Sequence, residues 1–208
     1  MVFRTQSAAV YGIDALLVDI EVNIRPAAEN DLSPNIIIVG LPDTAVRESR
    51  ERIRAAVQNS GFFFPVSKVT VNLAPADLRK EGASFDLPTA LGILGANGDL
   101  TNGQEMEGVM AIGELSLDGR VRPVRGALSI ALAARENKIK HLLVPEENGF
   151  EAAVVNGVSV YPVADLRTAV NVCRELEFGQ PKSVQPLRLD PDALKSDASG
   201  YNVDFSEV

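Results

Sequence analysis

The chain has 208 residues, of which 46% are hydrophobic and 23% charged, and this balance excludes a disordered or fibrous protein. Its net charge of −8 argues against a domain that wraps nucleic acid over its whole surface, because phosphate neutralisation needs cations. The single cysteine, Cys173, excludes an internal disulfide. The sequence contains no run of about 18 apolar residues, which a membrane-spanning helix would need. We therefore expect a cytoplasmic protein with no membrane partner.

The first third of the chain predicts strands followed by an amphipathic helix. Residues 7–24 alternate in polarity around the interruption YGID, which predicts two strands joined by a hairpin turn. The apolar run NIIIVGL at 35–41 predicts a buried strand. Asp43 or Thr44 then suits the N-cap of a helix, and Gly61 suits its C-terminal end. The residues expected on the buried face of this helix are Val46, Ser49, Ile53, Ala56 and Val57.

The middle of the chain predicts a second strand–helix unit. KVTVNLAP at 68–75 predicts a strand ended by proline, and 83–96 predicts a helix with Pro88 in its first turn. Ser84 is a natural N-cap for that helix, and Asp86 complements the positive helix end.

The remainder predicts alternating strands and helices up to residue 177. Residues 108–124 predict strand, turn and strand around Asp118-Gly119, a strong hairpin signal. Further elements are predicted at 125–139 (helix), 141–145 (strand), 146–157 (short helix), 158–163 (strand) and 164–177 (helix). This order predicts an α+β fold in which helices pack on a mixed β-sheet. Residues 178–208 contain three prolines and no sustained period, which predicts a linker, so we expect a truncated chain with one folded domain at 1–177.

Three long strings resemble the N-terminal domain of the magnesium-chelatase-like AAA+ ATPases, and more narrowly the ComM/YifB competence type. They are GLPDTAVRESRERIRAAVQNSGFFFP, VTVNLAPADLRKEGASFDLPTALGIL and GELSLDGRVRPVRGALSIALAARE. The resemblance implies a Lon-protease-like fold for 1–177 and a linker at 178–208 that leads to an AAA+ module. It also implies a hexamer and ATP-dependent DNA branch migration during natural transformation.

The AAA+ module itself is absent from the sequence. No G-x-x-x-x-G-K-[ST] string occurs, so no part of the 208 residues can hold ATP phosphates in the P-loop manner. The resemblance therefore places ATP and Mg in the absent module, which would be this domain's intramolecular partner, and implies no cofactor for this fragment. Nor do the residues support a metal site, because Asp19 and Glu21 are too few to bind a hard cation and His141 has no partner ligands.

The resemblance to Lon peptidases identifies a vestigial catalytic pair. EGAS at 81–84 places Ser84 at the nucleophile position, and RGALSI at 125–130 places Ile130 where the family has its catalytic lysine. A serine hydroxyl needs an adjacent base, and isoleucine cannot accept a proton. We therefore expect no peptidase activity, with Ser84 acting as a helix cap. A rescuing base at Lys80 is left open, because its geometry is unknown from sequence.

Two arginine clusters are candidates for contacting DNA or a neighbouring subunit. The first is a helix face with Arg47, Arg50 and Arg54, although pairs such as Arg47–Glu51 and Glu48–Arg52 also fit an ordinary solvated face. The second cluster consists of Arg120, Arg122 and Arg125 with Arg79 and Lys80. The Lon-like fold implies that these five cations converge near Ser84.

Two alternative functions remain open. One is an accessory domain of a metal-chelatase-type ATPase, which the wider family name implies. The other is an active Ser–Lys peptidase, which would need a base at a position other than 130.

Overall fold

The computed structural model describes residues 2–26, 35–100, 103, 105–179 and 181–187. The strands are Val2–Tyr11 (β1), Asp14–Pro26 (β2), Asn35–Val39 (β3), Ser67–Ala74 (β4), Glu105–Ala111 (β5), Glu114–Leu115 (β6), Val121–Arg122 (β7), His141–Pro145 (β8) and Ser159–Val163 (β9). The helices are Thr44–Asn59 (α1), Asp86–Ala96 (α2), Ala127–Glu136 (α3), Gly149–Ala153 (α4) and Leu166–Glu177 (α5), with a 3₁₀ turn at Glu146–Asn148.

Seven strands form one mixed sheet in the order β3-β4-β2-β1-β5-β8-β9. β2 is antiparallel to both β1 and β4, whereas the β3–β4, β1–β5, β5–β8 and β8–β9 pairs are parallel. β6 and β7 form a separate antiparallel pair. The predicted α+β fold with a mixed sheet and packed helices is confirmed.

The sheet has a hydrophobic core on each face. Residues of α1, α2 and α5 share one core with Val18, Ile20 and Val22 of β2. Residues of α3 and α4 share the other core with Ala8 of β1 and Val160 of β9. Alternate strand residues point to opposite faces, which is why Val160 belongs to one core and its neighbour Tyr161 to the other. No helix in the described ranges is long and apolar enough to cross a bilayer.

The prediction for α1 is confirmed in detail. Asp43 is the N-cap, and its carboxylate accepts a hydrogen bond from the Val46 amide at 2.8 Å. Gly61 follows the helix with a left-handed φ of +82°, which glycine adopts at no steric cost. The buried residues are the five expected ones, Val46, Ser49, Ile53, Ala56 and Val57.

The predicted start of α2 is wrong. Phe85 precedes the helix with helical backbone angles, and no side chain caps the first turn. The amides of the first turn use main-chain carbonyls instead: Asp86 donates to Ala83 at 3.1 Å and Leu87 donates to Gly113 at 3.0 Å. Ser84 lies one residue too early in the chain to act as the N-cap.

The two outer strands of the sheet differ from each other. β3 was expected to be buried, but it is an edge strand in which Ile36 is buried, Ile37 and Ile38 are half-buried and Val39 is exposed. β9 forms the opposite edge, where Leu187 bridges to Val160. The predicted linker begins after α5, and residues 188–208 lie outside the described part of the chain.

Candidate functional site

Ser84 lies between α2 and the turn that joins β5 to β6. Its carbonyl accepts a hydrogen bond from the Gly113 amide at 3.0 Å, and the Gly113 carbonyl accepts from Leu87 at 3.0 Å. A Cβ on residue 113 would lie 2.5 Å from Cγ1 of Val121, so the close approach of these segments requires glycine. The main chain around Ser84 is therefore fixed by the β5–β6 connection.

The Ser84 hydroxyl forms no hydrogen bond with a basic side chain of the described residues. The Lys80 ammonium donates to the Pro75 carbonyl, and burial lowers the pKa of this lysine. His141 lies at the start of β8, where its Nδ1 is 3.2 Å from the Tyr161 hydroxyl, and burial lowers its pKa. Neither the amine nor the imidazole forms a hydrogen bond with Ser84.

Ile130 is fully enclosed in the core between the sheet and α3. Its exposed fraction is 1%, and it belongs to the same apolar cluster as Ala8, Met110 and Ile112. Ile130 thus contributes apolar packing, and its side chain has no group that can accept a proton.

Lys80 is not available for contact with DNA or a subunit, contrary to the prediction, because its exposed fraction is 0%. Two main-chain hydrogen bonds hold the loop that carries Lys80. The Asp43 amide donates to the Lys80 carbonyl at 3.0 Å, and the Lys80 amide donates to the Leu41 carbonyl at 3.2 Å. The Tyr11 hydroxyl also donates to the Arg79 carbonyl. These bonds hold the lysine side chain inward.

The predicted cluster around the β6–β7 hairpin is largely paired with carboxylates. Arg120 lies 3.4 Å from Asp118, Arg122 lies 3.7 Å from Glu114, and Arg79 lies 3.1 Å from Glu81. Of the five predicted cations, Arg125 alone is exposed and outside the ion pairs of the described residues.

The five cations do not converge on one point. The loop that carries Arg79 and Lys80 is bonded to the start of α1 through Asp43, whereas Asn59 at the end of α1 donates to Leu117 of the hairpin at 2.7 Å. A 16-residue helix is about 24 Å long, so the Arg79 loop and the Arg120 turn lie at opposite ends of α1.

The arginines of α1 are less neutralised than those of the hairpin. Arg47 and Arg50 are exposed, Arg54 is half-buried, and none of the three forms an ion pair with a carboxylate of the described residues. The expected Glu48–Arg52 ion pair is not among the ion pairs of the described residues, because Arg52 pairs with Asp86 and Glu48 acts on it only from a longer distance.

Arg52 instead forms a partly buried ion pair that sequence reasoning missed. Its Nε lies 2.9 Å from Oδ2 of Asp86, which also accepts from the Leu115 amide at 3.2 Å. Asp86 is 1% exposed, and burial raises its pKa to about 6 despite the opposing effect of Arg52. The pair joins α1, α2 and β6, and the only sequence signal for it was the position of Asp86 at a helix start.

A cleft of about 750 Å³ lies beside the hairpin and the start of α5. Its charged lining consists of Asp118, Arg120, Arg122, Glu146, Glu147 and Asp165, so carboxylates outnumber guanidinium groups. This charge balance disfavours a phosphate ligand. Across the described ranges, no group of three or more ligand-type side chains is arranged to hold a metal ion.

Sequence comparisons relate the chain to a known family. The profile of the family described as "Subunit ChlI of Mg-chelatase" matches residues 20–148. The YifB protein of Salmonella typhimurium is 40% identical over 182 residues, which is 88% of this chain and 34% of that protein. The competence protein ComM of Haemophilus influenzae is 39% identical over 155 residues, covering 74% of this chain and 29% of ComM.

A more distant similarity connects the chain to a peptidase. Lon protease 2 of Bacillus subtilis is 25% identical over 196 residues, covering 88% of this chain and 34% of that protein. In each of these relatives, the chain spans about a third of the length of the curated protein.

Proposed function

The chain belongs to the Mg-chelatase-like family of ComM and YifB proteins, and from this premise we propose that it is a non-catalytic domain of a hexameric AAA+ ATPase. The ATPase would drive DNA branch migration, and ATP and Mg would bind only in a module outside these 208 residues. This domain would contribute assembly of the ring and guidance of the DNA. We also propose a cytoplasmic location.

The enclosed side chain of Ile130 carries the non-catalytic part of the proposal. A Ser–Lys peptidase needs an amine that takes the proton of the serine hydroxyl. Ile130 is 1% exposed in an apolar core, and the Lys80 ammonium donates a hydrogen bond to the Pro75 carbonyl. Loss of a general base alone typically costs about 10²- to 10⁴-fold in rate.

A hydrolysis assay tests the absence of peptidase chemistry. The chain and its Ser84→Ala variant are incubated with casein and with a fluorophosphonate probe, and both are expected to give the same background signal. Labelling or cleavage that disappears in Ser84→Ala would overturn the proposal and support the peptidase alternative.

The exposed face of α1 is the surface that we propose for DNA. Arg47, Arg50 and Arg54 follow one another at spacings of three and four residues, so they share a face of the helix. A cation that has no carboxylate partner gains more binding free energy from a phosphate than one that is already paired. Arg120 and Arg122 are already paired, with Asp118 and Glu114. A neighbouring subunit's acidic surface is the competing partner.

Two matched triple variants test this surface. Binding of duplex DNA is measured over a range of salt concentrations for R47A/R50A/R54A and for the control R79A/R120A/R122A. The α1 variant is expected to reduce the slope of log K against log salt by roughly 2.7, which corresponds to about 0.9 for each lost phosphate contact. Equal slopes for the unchanged chain and both variants would contradict DNA contact through α1.

The match to the ChlI profile supports a second candidate, an accessory domain of a metal-chelatase-type ATPase. In both candidate functions the chain is a domain of an ATPase, but the two ATPases act on different substrates. The gene is expected to continue past Val208 into a G-x-x-x-x-G-K-[ST] string, and its complete product is expected to move DNA branches with ATP. A product that lacks this activity and inserts a metal ion into a tetrapyrrole would favour the second candidate.

A further inference from the structure

The basic face of α1 continues past the end of the helix. Arg47 and Arg54 are seven residues apart, which is almost two helical turns, and the same step leads to Gly61. Arg167 of α5 lies beside Gly61, because its guanidinium donates to the Ser60 carbonyl at 2.9 Å. Arg167 is exposed and, like Arg47 and Arg54, forms no ion pair with a carboxylate of the described residues.

An exposed aromatic ring lies at the same end of α1. The sequence GFFFP at 61–65 connects α1 to β4, and its three rings differ in exposure. Phe64 is buried in the core, Phe62 is half-buried against the core, and Phe63 is 64% exposed. The core therefore uses the first and the third ring of this run and leaves the middle ring in solvent.

Main-chain hydrogen bonds fix the position of Phe63 relative to the helix. The Gly61 amide donates to the Gln58 carbonyl at 3.0 Å, and the Phe62 amide donates to the Val57 carbonyl at 3.1 Å. These two bonds close the last turn of α1 in the Schellman pattern. Phe63 is the next residue, with its Cα about 3.8 Å from that of Phe62, so the exposed ring lies at the end of the basic face.

Cations beside an exposed aromatic ring are the groups with which proteins bind single-stranded nucleic acid. The cations contact the phosphates, and the ring stacks on a base whatever its identity. A base inside a duplex is already stacked between its neighbours, so it must be unstacked before a side chain can cover its face. Phosphates are present in both forms of DNA, whereas a partner for the ring is present only where a base is unpaired.

We propose that α1 and Phe63 bind an unpaired stretch of DNA, in which phosphates contact the arginines and one base stacks on the Phe63 ring. The arginines are Arg47, Arg50, Arg54 and Arg167. The 14 residues from Arg47 to Gly61 correspond to about 21 Å of helix, or roughly six nucleotides at about 3.4 Å each. This inference rests on the proposed contact between α1 and DNA, and it names the form of DNA that the surface prefers.

The sequence contains no tryptophan, which allows a direct test of stacking. F63W places a single fluorophore at the end of the basic face. The control F150W replaces a ring that is 67% exposed on α4, which packs on the opposite face of the sheet from α1. An oligonucleotide of about 12 thymidines is expected to quench the emission of F63W and to leave that of F150W nearly unchanged. Binding without quenching of F63W would overturn the proposal.

Affinities separate the base from the phosphates. F63A and F63L, which lack the ring, are each expected to bind the thymidine strand about fivefold or more weakly than the unchanged chain. Their affinity for a closed duplex without free ends is expected to stay within about twofold. On an abasic strand with the same phosphates, the unchanged chain and F63A are expected to bind alike. The slope of log K against log salt is expected to be the same for both, because F63A removes no phosphate contact.

The negative results are distinguishable from one another. If F63A binds the thymidine strand as tightly as the unchanged chain while R47A/R50A/R54A binds it more weakly, stacking is refuted and the α1 contact with DNA stands. If the unchanged chain binds neither the strand nor the duplex, the proposed DNA contact fails and this inference fails with it. An F63A variant that self-associates less in sedimentation and keeps its DNA affinity would assign the ring to a second copy of the chain.

Discussion

At the scale of single residues, Ile130 is a packing residue of the core. It is enclosed by apolar neighbours on α3 and the sheet, including Met110 and Ile112. A buried ammonium without a partner is costly, because it loses its hydration. A lysine at position 130 would therefore place its ammonium among apolar side chains.

The first prediction concerns a lysine at position 130. I130K is expected to lower the free energy of unfolding by more than about 3 kcal/mol, because it buries a charge. I130M keeps the apolar volume and is expected to cost less than about 1.5 kcal/mol. Urea titrations measure both, and an I130K variant as stable as I130M would contradict the description of this core.

Asp86 gives the second prediction, which concerns pH. Burial raises its pKa to about 6, whereas an unfolded aspartate has a pKa of about 3.9. The folded state therefore binds the proton more tightly, and this carboxyl lowers the free energy of unfolding as pH rises from about 4 to 6. The difference corresponds to roughly 3 kcal/mol.

D86N removes this titration. Relative to the unchanged chain, it is expected to gain roughly 2 kcal/mol in unfolding free energy between pH 4 and pH 7. The measurement is urea unfolding at several pH values, with E48Q on the exposed side of α1 as the control. A difference between D86N and the unchanged chain that stays constant with pH would show that Asp86 does not titrate in this window.

At the scale of elements, α2 approaches the sheet through glycine. A Cβ on Gly95 would lie 2.3 Å from Cε1 of Phe3, and a Cβ on Gly92 would lie 2.7 Å from Cγ2 of Val22. Phe3 and Val22 are fully buried, so neither can move aside into solvent. The two glycines set the distance between this helix and the sheet.

The third prediction follows from that contact. G95A is expected to destabilise the fold by about 2 kcal/mol or more through overpacking, although alanine intrinsically favours a helix by about 1 kcal/mol. G98A, just after the helix, meets no atom within 4 Å and has a φ of +88°, so its expected cost is about 1 kcal/mol. Thermal and urea unfolding compare the two, and a G95A variant more stable than G98A would contradict the prediction.

Local signals predicted some elements well and others poorly. The cap at Asp43 and the buried stripe of α1 depend on neighbouring residues, and both were predictable. The start of α2 was not, because the carbonyl that accepts from Leu87 belongs to Gly113, far along the chain. The Arg52–Asp86 pair and the inward position of Lys80 also depend on tertiary contacts between segments that sequence spacing does not relate.

At the scale of the whole molecule, the reactivity of the Cys173 thiol can be used to measure unfolding of the domain. Cys173 on α5 is 4% exposed, and burial raises its pKa to about 12. Thiolate is the reactive form, so a native molecule presents almost none at pH 8. We therefore expect modification to proceed mainly through molecules in which α5 has separated from the sheet.

The fourth prediction uses this property. Labelling of Cys173 by a disulfide reagent at pH 8 is expected to be at least about 100-fold slower in the native chain than in urea-unfolded chain. The urea midpoint from labelling should match that from circular dichroism. Rapid labelling without urea would contradict the enclosed position of the thiol.

The position of β1 in the sheet has a consequence for synthesis on the ribosome. β1 lies in the interior of the sheet, between β2 and β5, although it is the first strand of this chain. Before Glu105 has been synthesised, one edge of β1 can pair with β2. The other edge of β1 has no partner until β5 has been synthesised. Until β5 has been synthesised, the nascent domain exposes the unpaired amides and carbonyls of one edge of β1, which favours pairing with other chains.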